Sequence, residues 1–308
     1  MKLLSIFTFL LLSFTSSGQA LTVQTFGNPE NEALLFLHGG PGYNSVVFEQ
    51  TSAQALADAG FFVISYDRRG EGRAVDLSAA YTFSESIADI NQMLQELKIE
   101  KLSLLGHSFG GILATEYATA HPEKVKAIFL MGAPIDLQES FKHILVQSKK
   151  IYEEKKDAVN LNYLSMLEKM DTASFEYASY CFMHAMQNGF YNTKVPTKDA
   201  QRIFPKFATD SLLQKYASKM DYEAPQAFWK NEQYTTLNLK DKLTIIGKAN
   251  VKIYGIYGKE DGLYSPAQID DLQQSIGTAN MAYLEACSHN VFVDQQEKFI
   301  NLLKAWLP

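Results

Sequence analysis

Residues 102–111 read LSLLGHSFGG: a short apolar run suited to a strand, then Gly106-His107-Ser108-Phe109-Gly110, then the start of an apolar helical pattern. G-x-S-x-G between a strand and a helix is the sequence form of a sharp turn that lifts a serine hydroxyl above a sheet edge. Such a turn forces the serine backbone into a strained conformation. Gly106 and Gly110 carry no side chain where strand and helix must pack closely. The turn also aims the Phe109 N–H at the space that Ser108 faces. Ser108 is therefore the candidate nucleophile, with Phe109 as a candidate donor to an oxyanion.

A serine hydroxyl is a poor nucleophile until a base takes its proton and an acid orients that base. After a strand–serine–helix turn the acid and the histidine should follow in that order along the chain. Residues 253–266, IYGIYGKEDGLYSP, supply the acid: a strand ends near Gly258, and Asp261 precedes Gly262 in a turn, with Glu260 as its competitor. Residues 283–307 begin YLEACSHNVF and supply the base, His289, between a last strand and a closing helix. The other histidines fit less well. His38 and His107 belong to backbone motifs, His121 ends a helix, and His143 and His184 fall in a helical stretch.

Residues 34–48, LLFLHGGPGYNSVVF, place three glycines and a proline within five positions after an apolar run. Glycine loses the most freedom on folding, so this density asks for a reason. An attacked carbonyl becomes an oxyanion that needs two N–H donors, one after the nucleophile and one from a loop after an early strand. Gly40 is the candidate for the second, alongside Phe109.

Outward from these motifs, strand-like runs occur at 21–26, 33–37, 61–66, 102–105, 126–131, 252–257 and 281–284, alternating with helical patterns. The segment from Thr82 puts Ile87, Ile90, Leu94 and Leu97 on one helical face and opens with a capping box, Thr82 with Glu85. The alternation implies an α/β fold, a mostly parallel central sheet with helices on both faces. It breaks between Asp136 and about Lys248, a stretch rich in Tyr, Phe and Met without a convincing strand. The expected organisation is a sheet domain over 21–135 and 249–308, with a helical cap inserted at 136–248. Most of the cap's aromatics should form its own core, and the remainder should line a pocket.

The chain has 308 residues, 46% of them hydrophobic and 20% charged, ample for a packed core and too apolar for disorder. A net charge of −6 offers no basic field for nucleic acid. Lys2, the apolar run Leu3 to Phe14 and small polar residues after it have the layout of a secretory signal peptide over residues 1–20. About a dozen apolar residues fall short of the roughly 20 needed to span a bilayer. The expectation is an exported protein, periplasmic or secreted, with no membrane span in its mature chain. Cys181 and Cys287 are the only cysteines; neither has neighbours at metal-ligand spacing, so no metal is expected, and a stable large domain has no need of a bridge between them, although sequence does not decide whether they pair.

Taken together, HGGPG (38–42), YDRRGEGR (66–73), GHSFGG (106–111), YGKEDGLYSP (257–266) and SHNVFVDQQEKF (288–299) resemble the α/β-hydrolases, and among them the prolyl aminopeptidase (proline iminopeptidase) family. The resemblance spans the sheet domain at motif level; HGGPG with DRRGEG narrows it to that family. It implies a peptidase that releases N-terminal residues, often proline, from short peptides without a metal or organic cofactor. The chain departs from the family pattern in three places. Phe109 stands where tryptophan usually follows the nucleophile, and Arg73-Ala74 where an arginine-rich motif usually runs on to serine. In the cap, ASYCFMHAMQNGFY (178–191) puts Cys181 where a glutamate would hold the substrate amine. Glu176, Glu223 and Glu232 are the candidate substitutes. Asp67 and Arg69, at a strand end, are expected to brace their loop.

These readings converge on a serine hydrolase acting through an acyl-enzyme, first an aminopeptidase for short peptides. A carboxylic ester or lactone hydrolase with the same triad is the alternative, and a non-catalytic binding protein of the same fold fits the complete residue set least.

Overall fold

Strand registers carry the site, because the apolar runs that the sequence marks become one sheet. In the computed structural model, which describes residues 12–13, 21–75 and 77–307, that sheet has eight strands. They are β1 (Leu12–Ser13), β2 (Thr22–Phe26), β3 (Glu32–Leu37), β4 (Phe61–Tyr66), β5 (Leu102–His107), β6 (Val125–Met131), β7 (Lys252–Gly258) and β8 (Met281–Leu284). Their spatial order is β1-β2-β4-β3-β5-β6-β7-β8, with the pairs β1–β2 and β2–β4 antiparallel at one edge and every other neighbouring pair parallel. β4 and β5 are buried at every position, which explains their predominantly apolar runs: a central parallel strand has no solvent face. The α/β architecture expected from the alternation is the observed one. The signal peptide assigned to residues 1–20 lies outside the described residues, the backbone pair Leu12–Ser13 apart.

Pleating sends alternate residues into two cores. Leu35, Leu37, Leu102 and Leu104 face the helices Phe83–Glu96 and Phe109–Ala120, while Leu34, Phe36, Leu105 and Phe129 face the closing helix Gln296–Trp306. The helix after Thr82 forms as its periodicity predicts, burying Ile90 and Leu94. Its cap is half the predicted box. Thr82 Oγ1 accepts the Glu85 N–H at 3.2 Å, but the Glu85 carboxylate accepts from Ala80 and Tyr81 N–H, where Tyr81 turns the chain at φ +51°.

Between β6 and β7 the described residues form helices at Leu137–Lys155, Ala158–Leu167, Phe175–Gln187, Lys198–Ile203, Pro205–Thr209, Ser211–Tyr216, Glu223–Glu232 and Lys240–Lys248, with one isolated bridge, Asp136 to Asn238. The last of these helices lies against Phe109–Ala120 and β7, where Lys242 pairs with Glu116. Of the aromatic-rich run, Tyr177 and Phe190 are buried, Phe182 is half-buried, and Tyr180, Met183 and Met186 face outward. No helix among the described residues is long and apolar enough to cross a membrane.

Candidate active site

At the end of β5 the chain turns at Ser108 with φ +53° and ψ −123°, a conformation that L side chains seldom adopt, and the helix Phe109–Ala120 starts at the next residue. The glycines around it are there for contact. A Cβ on Gly106 would come within 2.6 Å of the Gly110 oxygen, and one on Gly110 within 2.0 Å of the Leu37 carbonyl oxygen. On Gly111 it would stand 2.2 Å from the Ala133 Cβ. Strand, turn and helix close only because these three positions lack side chains. Phe109 N–H, at the first turn of the helix, has no intrahelical acceptor.

His289 Nδ1 and Asp261 Oδ2 are 2.8 Å apart in a buried pair. Of the two acidic neighbours, Asp261 is the one that meets the imidazole. Glu260 turns away and accepts the Lys194 N–H. Asp261 Oδ1 accepts the Leu263 N–H at 3.1 Å, so both carboxylate oxygens are held. Gly132, at φ +50°, makes room for the pair: its Cβ would stand 3.1 Å from His289 Nδ1. The His289 ring is 4.9 Å from that of His107, the residue before the nucleophile, and Tyr191 meets it edge-on at 5.1 Å. Among the described residues no hydrogen bond joins Ser108 Oγ to His289, in keeping with resting sites whose catalytic contacts tighten when substrate binds.

The HGGPG loop is held by charge from the loop after β4. Arg68, buried at 2% exposure, donates from Nη1 to the His38 carbonyl at 2.6 Å and from Nη2 to the Gly39 carbonyl at 2.8 Å. Its backbone N–H donates to His38 Nε2 at 3.1 Å, which leaves the proton on Nδ1, and Nδ1 donates to the Gly39 carbonyl at 2.8 Å. Burial, then the Arg68 charge, holds His38 neutral, well below the ordinary imidazole range. Glu71 pairs with Arg68 at 2.8 Å and accepts the Gly42 N–H at 2.6 Å. Burial pushes the Glu71 carboxyl up against the pull of Arg68. Beside it, Asp67 accepts from Ser45 and Arg73, and Arg69 pairs with Asp89 at 2.9 Å, so these two brace the loop. Burial pushes Asp67 up, but the hydrogen bonds and charge of Arg73 outweigh it and hold the carboxyl well below its usual range.

Ser108, Phe109 and Gly40 open on one narrow cleft of about 20 Å³, room for about one water. The sheet side contributes Ile112, Pro134, Leu263 and Tyr264; the inserted helices contribute Leu137, Ser140, Ile144, Phe182 and Tyr234. Among the described residues no acidic or basic side chain lines it. A larger cavity of about 280 Å³ lies beyond Tyr264, between Glu139, Lys240 and Asp271, and does not reach Ser108.

A family model described as the alpha/beta hydrolase fold matches residues 32–296, most of the chain. The chain belongs to this family. As an α/β-hydrolase it is 26% identical over 287 residues to a proline iminopeptidase of Lactobacillus helveticus, covering 90% of each chain. Its fold is shared by a proline iminopeptidase-related protein of Thermus thermophilus, at a TM-score of 0.66 and 21% identity over 98% of each chain. A carboxylesterase structure from Nitrososphaera gargenis has a TM-score of 0.61 at 20% identity, covering 96% of this chain and 97% of that one.

Within this hydrolase the candidate ligands for a substrate amine stand apart from Ser108. Cys181 is fully buried in the apolar core of the helix Phe175–Gln187, where burial pushes its thiol up to about 12. Glu176 and Glu223 are exposed in the first turns of their helices. Glu232 Oε1 accepts the Phe83 N–H at 2.7 Å, capping a helix of the sheet domain. None of the four lines the cleft. Both cysteines are free and buried, so the hydrolase carries no disulfide between them. Among the described residues no group of three or more His, Cys, Asp or Glu gathers as a metal site. The sequence motifs alone do not reveal the role of Arg68 or the closeness of His107 to His289. Arg68 had a signal, an arginine directly after the strand-end Asp67, but its partners lie 29 and 30 residues away.

Proposed function

We propose that this hydrolase cleaves a carboxylic ester of a small uncharged acyl group through a Ser108–Asp261–His289 triad. The observation that carries this reading is the cleft lining: the side chains that line it with Ser108 are apolar or neutral. A substrate ammonium brought there would lose water without gaining a carboxylate partner, at a cost of several kcal/mol. In the proposed mechanism His289 takes the Ser108 proton as Oγ attacks the carbonyl. Gly40 and Phe109 N–H groups receive the oxyanion, and Asp261, on Nδ1, fixes the imidazole tautomer and stabilises its cation. The leaving group departs with the proton from His289, and water then releases the acyl-enzyme.

The second reading is an aminopeptidase for short peptides. The proline iminopeptidase of Lactobacillus helveticus, alike over 90% of the chain, favours it. Hydrolysis of p-nitrophenyl acetate, prolyl p-nitroanilide and N-acetylprolyl p-nitroanilide separates the two, with Ser108→Ala as the blank. Ester turnover without prolyl anilide turnover is expected, and it should vanish in Ser108→Ala. Turnover confined to the free-amine prolyl anilide would replace the ester reading with the peptidase one. Undiminished turnover in Ser108→Ala would overturn both.

A further inference from the structure

The Gly39–Gly40 peptide has a fixed direction for a reason outside its own loop. A trans peptide plane holds its C=O and N–H on opposite sides, so whatever fixes the Gly39 oxygen fixes the Gly40 hydrogen as well. Two buried donors converge on that oxygen, Arg68 Nη2 at 2.8 Å and His38 Nδ1 at 2.8 Å. Arg68 Nη1 fixes the preceding carbonyl, His38, at 2.6 Å. Glu71 accepts from Arg68 Nε and Nη2 and from the Gly42 N–H, so the ion pair holds the loop at carbonyls 38 and 39 and at N–H 42. The same guanidinium lies 5.1 Å from the Phe109 ring centroid, against the residue that carries the other donor. Glycine alone would leave this loop free to rotate its peptide planes, since Gly40 sits at φ +112° and no side chain of its own restrains it.

We propose that Arg68, held by Glu71, is a positioning residue that aligns the Gly40 N–H with the Phe109 N–H, so that the two converge on the oxygen of the tetrahedral intermediate. This rests on the serine-hydrolase reading above. Arg68 touches no reacting atom. A guanidinium is suited to the task because its planar fork reaches two adjacent carbonyls and a carboxylate at once; a lysine ammonium keeps the charge and loses the fork.

The test is Arg68→Lys in the full chain, with the ester as substrate and an alkylboronic acid as a probe whose serine adduct places an oxygen at the same donors. Deleting an oxyanion donor outright lowers kcat by roughly 10²–10³-fold, and a misaligned one should lower it by about 10- to 100-fold. KM should stay within about threefold, and the boronate Ki should rise in parallel with the fall in kcat, because only tetrahedral species use the aligned donors. A kcat within about threefold of the parent's overturns the proposal. A fall in kcat with an unchanged boronate Ki also overturns it. If Arg68→Lys fails to fold, Glu71→Gln is read in the same way, since it keeps an acceptor for the Gly42 N–H while releasing Arg68. Ser108→Ala separates the layers: turnover surviving in that variant sinks the hydrolase reading itself, whereas a dead Ser108→Ala beside a fully active Arg68→Lys sinks only the role of Arg68.

Discussion

His107 Nε2 donates to the His289 carbonyl oxygen at 3.1 Å, and its ring packs against Phe292 as well as His289. Burial, then the neighbouring His289, lowers its pKa to about 3, so it stays neutral in the fold. Unfolded, it would titrate near the ordinary value of roughly 6.5. Between those values the unfolded chain binds a proton that the native chain refuses, so the stability His107 contributes is complete above about 6.5 and drains away as pH falls toward 3. His107→Asn cannot charge in either state. Urea unfolding should find it less stable than the parent at pH 7.5, with the gap closing by about 1.4 kcal/mol per pH unit between 6 and 4. A gap independent of pH would mean that His107 is protonated in the fold. The candidate triad could be named at this scale because its order along the chain is constrained: a serine in a strand–helix turn asks for an acid and then a histidine. The choice of Asp261 over Glu260 rested on the turn before Gly262 alone, since one residue of loop geometry decides which carboxylate reaches the ring and which reaches the Lys194 N–H. Cys181 and the three glutamates carried no such order. A helical stretch without landmarks fixes neither which face turns inward nor where a carboxylate finds its partner.

Glycines divide sharply among the elements. Gly110 lies in the first turn of the helix Phe109–Ala120, against the end of β3, and its Cβ would meet backbone, the Leu37 oxygen at 2.0 Å, which no rotamer can relieve. Gly247, inside the helix Lys240–Lys248, has nothing within 4 Å of a Cβ. Gly110→Ala should therefore destabilise by about 1–3 kcal/mol or more and move the elbow away from β3. Gly247→Ala should stabilise by about 0.4–1 kcal/mol through the unfolded chain alone. Urea midpoints of the two variants, taken together, check the contrast, and equal signs would mean that the elbow packing relaxes freely. The strands were legible because buried parallel strands are dominated by apolar residues, with only Ser65 and Ser103 interrupting β4 and the apolar start of β5. Helix ends were less so: Glu85 met the pattern for a capping box, yet its carboxylate serves Ala80 and Tyr81, since a left-handed turn at Tyr81 offers it two N–H groups.

Over the whole molecule, the site exists only where distant segments close on one another. The HGGPG loop reaches the inserted helices through Gly42, whose carbonyl accepts the Asp221 N–H at 2.7 Å, and Tyr43 donates to the Ala217 carbonyl at 2.6 Å. Pairings across 170 residues or more leave no local pattern to read, which is why an alternation of strands and helices gives the sheet and not the cleft. That cleft takes one wall from the sheet end and the other from Leu137, Ile144, Phe182 and Tyr234. Phe182, half-buried on the helix Phe175–Gln187, meets Phe141 edge-on at 5.2 Å. With room for about one water beside Ser108, the parent enzyme should prefer acetyl to longer acyl esters. Phe182→Ala removes the ring and leaves the triad and the Arg68 clamp untouched. Each methylene then buried should add about 0.8 kcal/mol, close to fourfold in kcat/KM. A series of p-nitrophenyl esters from acetate to hexanoate reads this directly. The hexanoate-to-acetate ratio should rise in Phe182→Ala by about fourfold per carbon until the space of the ring is filled. An unchanged ratio would show that the acyl chain leaves Ser108 by another wall, and Leu263 and Tyr264, on the sheet side, would then set the specificity.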